Sequence, residues 1–394
     1  MEPIFQQAQA LQSQLVSWRR MLHQVPETGL VLPETAALLK GWLSRMGLNC
    51  QEYPGHSGFT VRIGRGSGKT VALRADMDGL PIPEESGLPY ASSNGNMHAC
   101  GHDAHAAMLM GAVQLLKARE DELSGDVLCI FQPGEEGPGG AEPMVRDGVL
   151  RGVDGIFALH IGDIAGHFPT GDVAVAYGGT FAADDQMLIT VKGLGGHGST
   201  PEKCVDPVAA AALIVNNLQY IVSREVSPQH AVVITAAGIE AGQGTYNVIP
   251  ETAVVRGTIR NASPDTRDYV LRRIREVARY TAEMLRADCT VEFLDGYPAL
   301  VNDTVMVDAF IRSAGKLLPP ERIHVLPHGI LGGEDAAFFF REVPGCYFFL
   351  PGLAPCPADG QVYGAHHPRF CLDESVFWRG SGLLAQTAMD WLRD

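Results

Sequence analysis

Apolar positions recur at helical spacing through residues 4–23, where Leu11, Leu15, Trp18 and Leu22 share one face, so the spacing predicts an amphipathic helix. A second helix is expected after Pro33, carrying Leu38, Leu39, Trp42 and Leu43, with Gly47 just past its end as a C-terminal cap. Residues 58–63 and 70–74 then switch to strand character. Between them Gly64-Arg65-Gly66-Ser67-Gly68 reads as a hairpin turn. A helix over 104–118 and short buried strands at 127–131 and 155–159 follow, giving an α/β texture.

From about Phe181 the pattern changes. Residues 187–192 alternate as a half-buried strand does, and helices are expected at 206–223 and 265–287. Strands at 231–238, 253–260 and 289–293 complete a β-α-β-β-α-β order, the split βαβ arrangement of a self-sufficient small domain. The remainder returns to α/β character, with a helix at 304–317, a helix at 335–341 opened by Gly332-Gly333-Glu334-Asp335, a strand at 346–350 and a closing helix at 373–392. A chain of 394 residues exceeds the size at which one hydrophobic core keeps growing. The expected organisation is a larger domain built from residues 1–182 and 297–394, with residues 183–296 inserted as the smaller one.

Charge and composition narrow the classes of function. A formal net charge of -15 argues against non-specific binding to nucleic acid, which needs basic surface. The eight cysteines lie at irregular spacings that suggest no disulfide framework. The N-terminus lacks the basic start and apolar core of a signal peptide, and residues 208–222 are interrupted by Asn216, Asn217 and Gln219. The expectation is a reduced, cytoplasmic, soluble protein with neither a membrane nor a nucleic-acid partner.

Chemistry concentrates in Met97-His98-Ala99-Cys100-Gly101-His102-Asp103-Ala104-His105, which packs three imidazoles, a thiol and a carboxylate into nine positions. Such a donor set suits a divalent metal such as zinc, provided that Gly101 lets the backbone turn tightly. The plainer alternative is a polar loop with a buried free cysteine. Asp76 and Asp78 follow a strand, at the carboxyl end where ligands gather in open α/β sheets, although an Asp pair also suits an ordinary turn. Glu135 and Glu136 sit in a Gly/Pro loop after an apolar strand, and burying them is costly unless a cation lies between them. Another strand ends at His160, and His366-His367-Pro368 stiffens a late loop. Short connections place successive strand ends near one another, so these loops are expected to converge.

These residues resemble the metal-dependent amidohydrolases that include hippurate hydrolase, aminoacylase, plant auxin-conjugate hydrolases and glutamate carboxypeptidase. The resemblance runs from about Trp18 to Trp391. It rests on Arg74-Ala75-Asp76-Met77-Asp78, the 98–105 stretch, Gln132-Pro133-Gly134-Glu135-Glu136-Gly137, Asn247-Val248-Ile249-Pro250 and His366-His367-Pro368-Arg369-Phe370. The Cys-x-His form is similar to the hippurate hydrolase branch. The resemblance implies a zinc-peptidase-like α/β catalytic domain with an inserted ferredoxin-like α+β domain that serves as lid and dimer interface. It further implies two divalent metal ions per subunit, zinc or manganese with nickel or cobalt admissible, held by Cys100, His102, Glu136, His160 and His366. Glu135 then matches the general base and Asp78 the acid that supports the metal shell. His197, Asn247 and Arg260 fall on substrate-contacting positions, with His197 reaching the partner subunit's site in a homodimer. One departure stands out: Glu202 occupies a position where many relatives have a second histidine.

The activity implied is hydrolysis of N-acyl or N-aroyl amino acids, hippurate-like small molecules, to a carboxylic acid and a free amino acid. Paired metals suit that chemistry by lowering the pKa of water and polarising the carbonyl. A guanidinium such as Arg260 can grip the free carboxylate bidentately. The alternatives are a metallo-dipeptidase or carboxypeptidase on small peptides, and a non-catalytic metal-binding homologue. The last has no use for an unligated base such as Glu135. No glycine fingerprint follows a strand and opens a helix, which argues against an oxidoreductase.

Overall fold

The computed structural model describes residues 3–66 and 68–394. Its backbone contacts divide the chain into two compact units, residues 1–180 with 300–329 and 335–394, and residues 181–299 with 330–334. The first unit opens with α1 (Ile4–Ala10), α2 (Gln12–His23) and α3 (Pro33–Arg45), then β1 (Cys50–Glu52), β2 (Phe59–Ile63) and β3 (Thr70–Asp76). Next come α4 (His102–Lys117), β4 (Asp126–Gln132), α5 (Ala141–Arg146), β5 (Gly155–Ile161) and β6 (Val173–Ala176). The chain leaves through β7 (Gly178–Phe181) into β8 (Ala183–Lys192), β9 (Gly196–His197), α6 (Pro207–Tyr220) and β10 (Val232–Ala241). After β11 (Val248–Ile249), β12 (Thr252–Asn261), α7 (Pro264–Met284) and β13 (Asp288–Asp295) it returns at β14 (Leu300–Asn302). It closes with α8 (Thr304–Ala314), β15 (Ile323–Leu326), α9 (Ala337–Glu342), β16 (Gly345–Leu350) and α10 (Phe377–Trp391).

The first unit is built on an eight-stranded mixed sheet in the order β1-β2-β4-β3-β5-β16-β6-β15. Strands β3, β4 and β5 are buried at every residue, as expected for central parallel strands covered on both faces. Helix α4 is an inner helix, with only Gln114 and Lys117 of its sixteen residues escaping burial. Its N-terminal turn carries His102 to the carboxyl end of β3, within 3.3 Å of Asp78.

Two local expectations are corrected. The helix expected over 4–23 is interrupted at Leu11, whose N–H bonds Ala8 O three residues back at 3.0 Å and so breaks the four-residue repeat. The residues 58–63 and 70–74 are strands, but they do not form a hairpin. β4 lies between β2 and β3, antiparallel to the first and parallel to the second. An apolar strand such as β4 is best covered by a neighbour on each edge, and the glycine-rich link is long enough to step over it. Within that link, Ser67 lies outside the described residues.

The second unit carries the four-stranded antiparallel sheet β10-β12-β8-β13. Its β-α-β-β-α-β order is that of the split βαβ domain. Strand β8 alternates, and Met187, Ile189 and Val191 point inward to share a core with Ala210, Ile214 and Leu218 of α6 and Val270, Ile274 and Ala278 of α7. Asp206 caps α6 by accepting from Val208 N and Ala209 N. Residues 330–334 join this unit through Ala182 N–H, which bonds Gly332 O at 3.0 Å. Among the described residues, no helix is long and apolar enough to cross a membrane.

Candidate metal centre

Five separate stretches of the first unit deliver polar groups to one place. Asp76 ends β3 and Asp78 follows it, both fully buried. The tight turn between Cys100 and His102 is made by Gly101, whose φ of 90° lies in the left-handed region. A Cβ there would stand 2.9 Å from Ile161 and 3.2 Å from Leu372, so the position has no room for a side chain. Glu135 and Glu136 lie in the link between β4 and α5, and His160 is the next-to-last residue of β5. His366 takes a left-handed φ of 67° and anchors its N–H to Ala99 O at 2.8 Å. That bond ties the late loop to the Cys100 stretch across most of the sequence.

The five residues expected as ligands converge. Cys100, His102 and His160 form one group, Cys100, Glu136 and His366 a second, and His102, Glu135 and Glu136 a third, each with its ligand atoms within 4.8 Å of one another. Cys100 Sγ lies 3.3 Å from His160 Nε2, and His366 Nε2 lies 2.9 Å from Glu136 Oε1. His102 donates from Nδ1 to Asp78 Oδ1 at 3.3 Å, leaving Nε2 buried without a hydrogen-bond partner among the described residues. His160 donates from Nδ1 to Ile161 O at 2.7 Å, so its Nε2 lone pair also faces the group. A ring nitrogen fixed to an acceptor while the other faces the cluster is the arrangement that metal-ligating histidines adopt. The donor set therefore fits a pair of divalent cations.

Electrostatics agree with that fit. Burial pushes the Cys100 thiol up to about 12, so a thiolate at neutral pH requires positive charge beside it. Burial, with His105 and His102 adding to it, holds His160 well below the ordinary histidine range, so it is neutral. Burial would raise the Glu136 carboxyl, but the bond from His366 and the charge of His102 more than offset it. The carboxylate of Asp78 is the hub of the loop: Oδ1 accepts Glu135 N–H at 3.1 Å and Oδ2 accepts Glu136 N–H at 3.0 Å. Glu135 Oε2 stands 3.8 Å from His102 Nε2.

Sequence reading assigned no role to Asp76, His105 or Arg74. His105 is not a spare ligand, since Nδ1 donates to Asp76 Oδ1 at 2.6 Å and Nε2 accepts Ile161 N–H at 2.9 Å. Arg74 is buried within β3 and donates to Asp76 Oδ2 at 2.9 Å. A charged residue inside an apolar strand was the available signal, because such a group is buried only when paired.

The remaining expected residues lie in the second unit. His197 and Asn247 come together on the two-stranded ribbon of β9 and β11, where Gly198 N–H bonds Asn247 O at 2.8 Å. His197 Nδ1 accepts Ser199 N–H at 3.2 Å, which selects the tautomer with its proton on Nε2, and the residue is exposed. Arg260 sits apart from that ribbon, on β12 of the larger sheet, where Nη1 is paired with Asp184 Oδ1.

Comparison with known proteins places this geometry. The model of peptidase family M20/M25/M40 matches residues 72–390. Thermostable carboxypeptidase 1 of Saccharolobus solfataricus is 37% identical over 373 residues, covering 93% of this chain and 92% of that one. N-acetyl-L-cysteine deacetylase of Bacillus subtilis is 36% identical over 381 residues, covering 96% and 88%. The solved structure of the Bacillus subtilis YXEP protein, described as a dinuclear metal binding peptidase from the M20 family, is similar at a TM-score of 0.84 and 32% identity. It covers 98% of this chain and 99% of that one.

Proposed function

The chain belongs to peptidase family M20/M25/M40, a family of hydrolases with dinuclear metal-binding members, and from that premise we propose that it cleaves the amide bond of N-acyl or N-aroyl amino acids. The observation that carries this reading is the pairing of Glu136, which faces Cys100 and His366, with Glu135, whose carboxylate stands beside the cluster. Cys100, His102, Glu136, His160 and His366 would hold two divalent cations, which when bound supply an acidified water and Lewis-acid polarisation of the carbonyl. Glu135 takes the proton of the attacking water on its carboxylate and returns it to the departing amine. Asp78 keeps His102 and Glu135 in place through Oδ1 and Glu136 through Oδ2.

The second unit is proposed as the lid. The Nε2–H of the exposed His197 suits an oxyanion donor, reaching the partner subunit's site in a homodimer, and Asn247 supports the substrate beside it. Arg260 would exchange Asp184 for the free carboxylate of the substrate. The thiolate position favours zinc while the carboxylates tolerate manganese. Eight free cysteines suit a reducing, cytoplasmic setting. The relative described as a carboxypeptidase supports a second reading, in which small peptides are the substrates.

Metal analysis of the purified protein, followed by a panel of hippurate, N-acetyl amino acids and dipeptides with each metal restored, separates the two. Faster turnover of the acyl amino acids is expected. A strong preference for dipeptides would give the second reading instead.

A further inference from the structure

The Gly332-Gly333-Glu334-Asp335 stretch stands out in the sequence, and neither the metal ligands nor the base account for it. Asp335 has no exposed surface, and its carboxylate is surrounded by donors. Oδ2 accepts Gly140 N–H at 2.8 Å, Ala141 N–H at 2.9 Å and Gln132 Nε2 at 2.8 Å. Oδ1 accepts Gln132 Nε2 at 2.7 Å and Arg74 Nη2 at 3.2 Å. A buried carboxylate is costly without such partners, and Arg74 supplies the opposing charge.

The donors mark the two ends of one loop. Gln132 is the last residue of β4, Gly140 immediately precedes α5, and the link between them contains Glu135 and Glu136. The loop closes tightly, because a Cβ on Gly140 would fall 1.7 Å from Pro133 O. Its middle is held by Asp78, through Glu135 N–H and Glu136 N–H. Arg74 ties Asp335 to the end of β3, donating both to Asp335 and to Asp76, which in turn fixes His105.

We infer that Asp335 is a positioning residue that clamps the Glu135–Glu136 loop at both ends, so that metal ligand and base keep their spacing under load. This rests on the proposed roles of Glu135 and Glu136. Partners that orient ligands from behind are typically worth about 10–100-fold in metal affinity or activity, and that is the scale expected here.

The test uses the full chain with Asp335→Asn, which preserves shape and removes the charge. Hydrogen exchange of metal-free protein is expected to quicken at least tenfold in residues 133–141 while α4 and the second unit keep their protection. Titration with zinc ion alone is expected to show affinity lowered about 10–100-fold. At saturating zinc, kcat for an N-acetyl amino acid should fall while KM stays within twofold. Unchanged loop exchange and zinc affinity would overturn the inference, as would a rise in exchange spread evenly over the first unit. Gln132→Leu removes one donor and keeps the carboxylate, so it should show a weaker, loop-confined form of the same pattern. Should Asp335→Asn not fold, the Gln132→Leu result decides. If the unmodified chain hydrolyses no amide, the functional reading fails, while exchange and zinc titration still decide the clamp.

Discussion

Asp78 and His102 are joined by a bond from the imidazole Nδ1 to Asp78 Oδ1 at 3.3 Å, and the same carboxylate holds the backbone of both loop glutamates. One side chain thus fixes the tautomer of one proposed ligand, His102, and the path of the loop that carries another, Glu136. Asp78→Asn places an amide where three N–H groups point, so one donor must lose its acceptor. Zinc affinity is expected to fall about 10–100-fold with the fold retained. Competition against a chelator measures it, and unaltered affinity would show that Asp78 does not support the metal shell.

Glu135→Gln separates chemistry from binding. The amide fills the same volume, so metal content should match the wild-type chain, while turnover drops about 10²–10⁴-fold with the loss of general acid–base help. Metal stoichiometry and single-turnover rates are the measurements. Near-normal turnover would remove Glu135 from its role.

Much of this site is legible in the sequence because its donors cluster locally. Cys100 and His102 sit on either side of a glycine, Glu135 adjoins Glu136, and strand ends in an α/β texture point to a common edge. The supports are less visible. Arg74 and Asp335 are 261 positions apart, and no local pattern pairs them. The order of strands was hidden for a similar reason: β2 and β3 flank a turn, yet the partner each needs is β4, more than fifty residues further on. The three histidines of the 98–105 stretch look alike in sequence, and only their hydrogen bonds separate His102, proposed as a ligand, from the fully engaged His105.

Gly101→Ala tests the turn itself. A left-handed backbone costs a residue with a Cβ about 1–2 kcal/mol, and here the methyl also meets Ile161 and Leu372. A lower Tm and weakened zinc binding are expected together, because relief of the clash moves Cys100 relative to His102. Thermal melts with and without zinc check this. A variant that melts and binds like the wild type would mean that the turn is not under this constraint.

Arg260→Ala addresses substrate recognition. If the guanidinium leaves Asp184 for a substrate carboxylate, KM for an N-acetyl amino acid should rise about tenfold or more, a charged hydrogen bond being worth about 1.5–3 kcal/mol. The corresponding methyl ester, which has no charge to grip, should be little affected. Equal KM values for variant and wild type on the free acid would leave Arg260 as a partner of Asp184 alone.

His23 gives the folded protein a pH signature of its own. Its Nδ1 lies 2.7 Å from Asp103 Oδ2 and its Nε2 3.1 Å from Glu84 Oε1, with the ring and both carboxylates buried. Burial and the Arg19 charge push the imidazole down, and the two carboxylates more than offset them, so it sits above the ordinary 6.5. A raised folded value means that the native chain binds the extra proton between the unfolded and folded pKa. The stabilisation is then complete below about 6.5 and is lost as pH rises through the folded value. With chelator present to keep metal out of the balance, the wild-type Tm is expected to decline from pH 6.5 upward, while His23→Gln shows a flatter profile. Parallel profiles for the two proteins would show that His23 carries no proton linked to folding.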